Sequence, residues 1–264
     1  MKKTLLLVLL AFCSLSLALA QTKLTWYGHS AFKIVTPAGK VVLIDPWIQN
    51  PLNKNAQADL AALGQVDLIL VSHGHFDHVG DAVAIAKQTK AKLVTPFDLG
   101  QSLVKYAGYP ADQAGFDTQG NIGGTLVLLD GELSVQFTPA NHGSNVADEK
   151  GDFHPGGNPC GFLIKVNKGP TFYHTGDTGL VSEMSFLGKQ KVDVMLCCIG
   201  DHFVMGPAQA AEAVRMVAPQ TVVPMHYQTF PILRGTPEAF GAELSKAGSK
   251  AKLQVMKVGE TLSL

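Results

Sequence analysis

Apolar residues in this chain fall into short blocks separated by polar turns, and the spacing of the blocks alternates between strand-like and helix-like. Val66-Asp67-Leu68-Ile69-Leu70-Val71 is a nearly continuous run rich in branched side chains, the pattern of a strand covered on both faces of a sheet. Val41-Val42-Leu43-Ile44 reads the same way, and residues 134–138 form a further strand. Three hairpins are predicted from turn residues between such runs: 32–36 with 40–44, 125–129 with 133–138, and 161–166 with 171–173. Residues 81–90 and 207–217 read as helices, each followed by a short strand, 92–95 and 221–223.

These elements repeat. Residues 66–74 align without gaps on residues 192–200, and both copies are followed by a helix and then a strand. An earlier strand in each half leads to an aspartate, Asp45 or Asp177. The repeated order predicts a two-fold organisation of the fold.

The first twenty residues stand apart. Lys2 and Lys3, an apolar run over 5–12 and Ala18-Leu19-Ala20 give the charged, hydrophobic and small-residue regions of a secretory signal, with cleavage before Gln21. Bulky Phe12 ahead of Cys13 argues against a lipoprotein signal. The expected product is a periplasmic or secreted protein with no stable membrane insertion, in which residues 21–264 form a single domain. Loss of the two lysines turns 21 basic against 21 acidic side chains into 19 against 21, so nothing points to nucleic acid or another polyanion as partner. Cys160, Cys197 and Cys198 remain, an odd number that allows at most one bridge, and Cys197 and Cys198 extend an apolar strand as small core residues.

The candidate chemistry lies directly after the run at 66–71. His73-Gly74-His75-Phe76-Asp77-His78 places three imidazoles and a carboxylate in six residues, whereas single histidines are usually surface or satisfied core residues. His73 and His75, two apart in an extended segment, point the same way and can share one ion. Asp77 and His78 lie on the turn beyond and can reach a second.

This block resembles the metallo-β-lactamase superfamily, and further segments match it in order: Asp45 after a strand, His142 in Pro139-Ala140-Asn141-His142, Asp177 in His174-Thr175-Gly176-Asp177, and His226 in Val222-Val223-Pro224-Met225-His226. Residues 26–32, 200–207 and 224–227 are most similar to the metal-dependent hydrolases near the ascorbate-6-phosphate lactonases. The resemblance implies an α/β fold, a four-layer αββα sandwich of two mixed sheets with outer helices, which also suits the internal repeat. It implies that His73, His75 and His142 hold one divalent ion, that Asp77, His78 and His226 hold a second, and that Asp177 bridges them. Five imidazoles and two carboxylates suit Zn2+ first, with Mn2+, Fe2+ or Ni2+ possible under different supply.

The implied activity is hydrolysis of a small-molecule lactone, ester, amide or phosphodiester, because two close cations lower the pKa of a shared water from 15.7 towards about 7. Asp177 stands where several true β-lactamases carry a metal-binding Cys, which argues against β-lactams. His75 stands where diiron relatives typically carry Glu, which disfavours the alternative of a metal-dependent oxidoreductase. A non-catalytic zinc-binding protein is the third reading. Asp45 is expected to orient a ligand histidine rather than bind metal. Asp77 and His202 are the expected catalytic residues, His202 as proton donor to the leaving group, with His29 and His154 next in line. The Gly- and Pro-rich residues 143–159 are expected to form a loop bordering the metal crevice.

Overall fold

The computed structural model describes residues 21–264, so the signal-peptide, cleavage and Cys13 expectations lie outside the described residues. The first half contributes β1 (Lys23–Trp26), β2 (Phe32–Val35), β3 (Val41–Ile44), α1 (Ala56–Ala61), β4 (Leu68–Leu70), α2 (Phe76–Val79), α3 (Ala82–Thr89), β5 (Lys92–Pro96), α4 (Phe97–Tyr106) and β6 (Gln119–Gly120). The second half contributes β7 (Thr125–Leu128), β8 (Leu133–Pro139), β9 (Asn145–Ala147), β10 (Phe153–Pro155), β11 (Cys160–Val166), β12 (Thr171–His174), α5 (Met184–Leu187), β13 (Val194–Cys198), α6 (Pro207–Val217), β14 (Thr221–Met225), α7 (Pro237–Lys246), β15 (Lys252–Leu253) and β16 (Thr261–Ser263).

Two seven-stranded mixed sheets result, ordered β16-β1-β2-β3-β4-β5-β6 and β7-β8-β11-β12-β13-β14-β15. Read in those directions, each sheet has three antiparallel pairings followed by three parallel ones. The expected two-fold organisation is therefore present at the level of strand register. Leu70 pairs Ile44, and Leu196, its counterpart in the repeat, pairs His174. The aspartates interrupting the two apolar runs have matching jobs: Asp67 accepts from Val41 N and Asp193 from Thr171 N, both at 2.8 Å. One detail differs. Asp45 N donates to Leu70 O, and the equivalent bond in the second half comes from Thr175, so Asp177 lies two residues beyond the position matching Asp45.

Alternation along the strands builds the layers. Val42, Ile44, Leu68 and Leu70 face the core between the sheets, with Phe137, Phe162 and Ile164 from the other sheet in the same cluster. Leu43, Ile69, Val71 and Leu93 face outward and are covered by Ile85 and Ala86 of α3 and Leu99 and Leu103 of α4. The αββα arrangement follows from this two-sided burial, which is why these strands lack the polar alternation of a half-exposed sheet. Among the described residues Cys160, Cys197 and Cys198 are unpaired and buried, and burial pushes their thiols up in pKa, so they are packing groups rather than reactive thiolates.

Candidate metal centre

The ends of β4, β8, β12 and β14 converge on one edge of the sandwich, and the chain leaves each through a tight turn carrying histidine or aspartate. The turns after β1, β3 and β14 that surround the cluster are held in costly conformations. His29, Asp45 and His226 all have left-handed backbones, with φ of 50°, 43° and 55°, a state that costs a non-glycine residue about 1–3 kcal/mol and gathers at functional sites. Glycine makes the closest approach possible: at Gly176, φ 60°, a Cβ would collide with Cys160 O, and the turn presents the next residue, Asp177, to the cluster.

Three groups of ligand-type atoms lie within 4.8 Å of one another: His73, His75 and His142; His73, His78 and Asp177; and His29, Asp77, His78 and His226. Asp177 spans them. Its Oδ1 lies 3.3 Å from His78 Nε2, and its Oδ2 lies 2.9 Å from His226 Nε2 and 3.6 Å from His142 Nε2.

Asp45 fixes which ring nitrogens point inward. Fully buried, it accepts from Ser72 N at 2.7 Å and Ser72 Oγ at 2.6 Å, and its Oδ2 lies 2.8 Å from His78 Nδ1. A carboxylate only accepts, so His78 Nδ1 carries a proton and Nε2 faces the cluster. The Ser72 hydroxyl has spent its proton on Asp45, so it accepts from His73 Nδ1 at 3.0 Å, and His73 Nε2 also faces the cluster. One buried aspartate thus orients two imidazoles, the role expected for it.

Hydrogen bonding tests whether cations fit. His73 Nε2 and His142 Nε2 approach His75 Nδ1 at 3.0 and 3.3 Å, so nitrogens converge with too few protons to separate them. His78 Nε2, Asp177 Oδ1 and both ring nitrogens of His226 are buried, and although Asp177 lies within 3.3 Å of both imidazoles, none of these atoms makes a hydrogen bond of acceptable angle. His174 is the contrast: equally buried, it accepts from Gly176 N at 3.1 Å and reaches Ser30 O at 3.2 Å, so it is satisfied and structural. Lone pairs and carboxylate oxygens pointing at a common centre are the donor set of a cation site, and the residues fit divalent metal.

The electrostatics agree. Burial, then the charge of His78, holds His73 well below the usual imidazole range, and burial with neighbouring His142 lowers His75. Burial lowers His142 against the pull of Asp177. His78 goes the other way: burial opposes its charge, but Asp177 and Asp45 together lift it well above the ordinary value. Burial would raise Asp177 and Asp77, yet His226 and His78 hold the former well below the carboxylate range, and His29 and His78 hold the latter there.

His29 is fully buried and places Nε2 3.0 Å from Asp77 Oδ2 and Nδ1 2.7 Å from Thr229 Oγ1. Burial, then His226, lowers its pKa to about 4. Its link to Asp77 was not legible in the sequence, where nothing connects residues 29, 77 and 229.

His202 lies at the surface beside the cavity over the cluster rather than on its wall. Asp201 and His202 are both left-handed, φ 64° and 59°, which turns the His202 ring to solvent against Phe203 at 4.4 Å. Phe203, not His202, lines the cavity over the cluster. His154 is also spoken for, 2.9 Å from Asp148 and stacked on Tyr106 at 3.6 Å. Residues 143–159 do border the crevice, but as the antiparallel hairpin β9–β10 rather than an irregular loop.

A pH dependence follows for the metal-free protein. His29, His73, His75, His142 and His174 have folded pKa values below the ordinary 6.5, so the native state binds fewer protons than the unfolded one. Stability rises with pH across this window and is lost as pH falls from 6.5 towards about 4, the value for His29. His78, raised, contributes the opposite slope only above 6.5. Thermal melts of chelator-treated protein at pH 7.5, 6 and 5 should show a steady fall in Tm, and a flat profile would contradict the neutral, buried histidines.

The fold and the histidine–aspartate cluster define a metal-dependent hydrolase of the metallo-β-lactamase superfamily. The superfamily's beta-lactamase domain profile matches residues 40–227, and the metallo-beta-lactamase fold protein YhfI of Bacillus subtilis superposes with a TM-score of 0.66 at 13% identity, over 92% of this chain and all of that one. The chain belongs to the UPF0173 metal-dependent hydrolase family: a member from Thermodesulfovibrio yellowstonii is 49% identical over the full length of both chains. Igni18, a metallo hydrolase from the archaeon Ignicoccus hospitalis, is 38% identical, with a TM-score of 0.79 over 93% of this chain and 99% of its own.

Proposed function

We propose that this protein is an exported, periplasmic or secreted hydrolase that works with two divalent metal ions, zinc first, on a small-molecule ester, lactone, amide or phosphodiester. The observation carrying this reading is the position of Asp177, whose two oxygens face His78 on one side and His142 and His226 on the other. His73, His75 and His142 would hold one ion, Asp77, His78 and His226 the other, and Asp177 both. The metals supply Lewis acidity and lower the pKa of a coordinated water to about 7.

The chain's own contribution is positioning. Asp45 and Ser72 occupy the Nδ1 sides of His78 and His73, so both rings are held with Nε2 turned toward the cluster. His29, itself braced by Thr229, donates to Asp77 and holds that carboxylate ionised and aimed at the cluster. No helix of the described residues is long and apolar enough to cross a membrane.

Elemental analysis of metal-replete protein together with a panel of activated ester, lactone, amide and phosphodiester substrates tests the reading. We expect two divalent ions per chain and turnover that disappears with chelation and returns with Zn2+ or Mn2+. One ion or none, with no metal-dependent turnover across the panel, would overturn it. Mass spectrometry of the protein recovered from its native compartment should find Gln21 at the N-terminus.

A further inference from the structure

We propose that the cavity over the cluster selects a neutral substrate with an aromatic or branched apolar group, an ester or lactone rather than a phosphorylated or carboxylated compound. This rests on the hydrolase reading above and narrows its substrate.

The cavity has a volume of about 640 Å3, enough for a small organic molecule, and opens directly over His75, Asp77, His142, Asp177 and His226. Its rim is built from three exposed phenylalanines on separate elements: Phe76 on α2, 66% exposed, Phe153 on β10, 74%, and Phe203 on the turn before α6, 55%. One large apolar side chain left in water is ordinary, but three around one opening form a patch of the kind that marks a binding site. Two more rings back it. Phe230 lies 6.3 Å from Phe76, and Trp47 packs 5.6 Å from Phe76 and 5.9 Å from Phe230. Phe76 is thereby held in place by its neighbours despite its exposure, a preformed surface for another ring or a branched chain.

Charge narrows the choice. The ionisable side chains on the cavity wall are those three histidines and two aspartates of the cluster, and no lysine or arginine lines it among the described residues. Asn145 is the neutral polar side chain there. A phosphate or carboxylate placed away from the reacting carbon would lose its hydration against Phe153 and Phe203 with no guanidinium or ammonium to replace it. An uncharged acyl group loses nothing of that kind and buries apolar surface. In the reaction the carbonyl carbon gains a bond to the oxygen of water, its bond to the alcohol oxygen breaks, and the proton of water passes to the departing alcohol.

The test uses the metal-loaded full chain. p-Nitrophenyl acetate, butyrate, phenylacetate and hemisuccinate share a leaving group and differ in the acyl part. We expect kcat/KM to rise about fourfold per methylene from acetate to butyrate, to rise further for phenylacetate, and to fall at least tenfold from butyrate to the anionic hemisuccinate. Phe153→Arg, at an exposed position, should raise KM for phenylacetate about tenfold and that for acetate less than threefold, with metal content unchanged. Calorimetry with 4-phenyl-2-butanone, a neutral ketone that cannot be hydrolysed, should show binding to the wild type with and without metal, about tenfold weaker in Phe153→Arg. Cleavage of hemisuccinate as fast as butyrate, or no binding of the ketone, overturns the inference while leaving the hydrolase reading intact. Ketone binding without turnover of any ester would support the apolar selectivity and count against the hydrolase reading.

Discussion

Asp177→Ala should empty both proposed metal positions and lower hydrolysis by about 10³-fold or more, the largest effect on activity expected of any single change, because generation of a nucleophile at neutral pH depends on the metals. The carboxylate is 3% exposed and within 3.6 Å of three imidazoles drawn from both proposed metal sets, His142 from one and His78 and His226 from the other. Alanine removes the charge that faces all three and leaves His78 with Asp45 alone as counter-charge. Elemental analysis of the variant should fall from two ions per chain towards none, with the far-ultraviolet circular dichroism unchanged. Asp177→Asn, which keeps the shape, should lose metal as well. A variant retaining both ions and wild-type turnover would show that Asp177 is not shared between two metals.

Asp45→Ala should give the largest loss of stability. Asp45 is completely buried and is the acceptor for Ser72 N, Ser72 Oγ and His78 Nδ1, so its removal orphans three donors in the interior, one of them a histidine that Asp45 helps to keep charged. Breaking a buried pair from one side costs about 3–5 kcal/mol. At about 2–4 °C per kcal/mol for a domain of this size, Tm should fall by roughly 10 °C. Metal affinity should fall by about 10–100-fold at the same time, because His73 and His78 lose the bonds that fix their tautomers. The exposed Lys92–Asp117 pair is the control: solvent screens it, and Asp117→Ala should barely move Tm. Scanning calorimetry of the three proteins decides the matter, and equal melting temperatures for wild type and Asp45→Ala would remove Asp45 from its supporting role.

Elements with strong periodicity were legible in advance. The helix read at 207–217 is α6 residue for residue, and the hairpin of 32–36 with 40–44 is the β2–β3 pair. The apolar run at 66–71 forms a shorter strand, Leu68–Leu70, although the Asp67 backbone still bonds to Val41 and Lys92 on the two neighbouring strands and its side chain accepts from Val41 N. The stretch 143–159 borders the crevice as read, but its glycines and prolines mask the short pairing of 145–147 with 153–155, which three apolar residues, Val146, Ala147 and Phe153, cannot reveal in one dimension. The repeat places the His202 segment at the crevice, where Phe203 lines the cavity and His202 is exposed, but says nothing of the left-handed backbones at Asp201 and His202.

Two-sided burial of β3, β4 and β13 is written in their unbroken apolar runs, and the histidines and aspartates that follow the strands carry the donor chemistry in their own side chains; for these the sequence suffices, because hydrophobic pattern and ligand type are local properties. Partnership is not local. That Asp45 serves both His78 and, through Ser72, His73 depends on a turn at 45 meeting a turn at 72. That His29 braces Asp77, and that Phe76, Phe153 and Phe203 close around one opening, depends on strand register bringing together residues 48 to 127 positions apart. Such contacts are set by the packing of the two sheets, whose free energy is shared over the whole core, and only the tertiary structure decides which side chains meet.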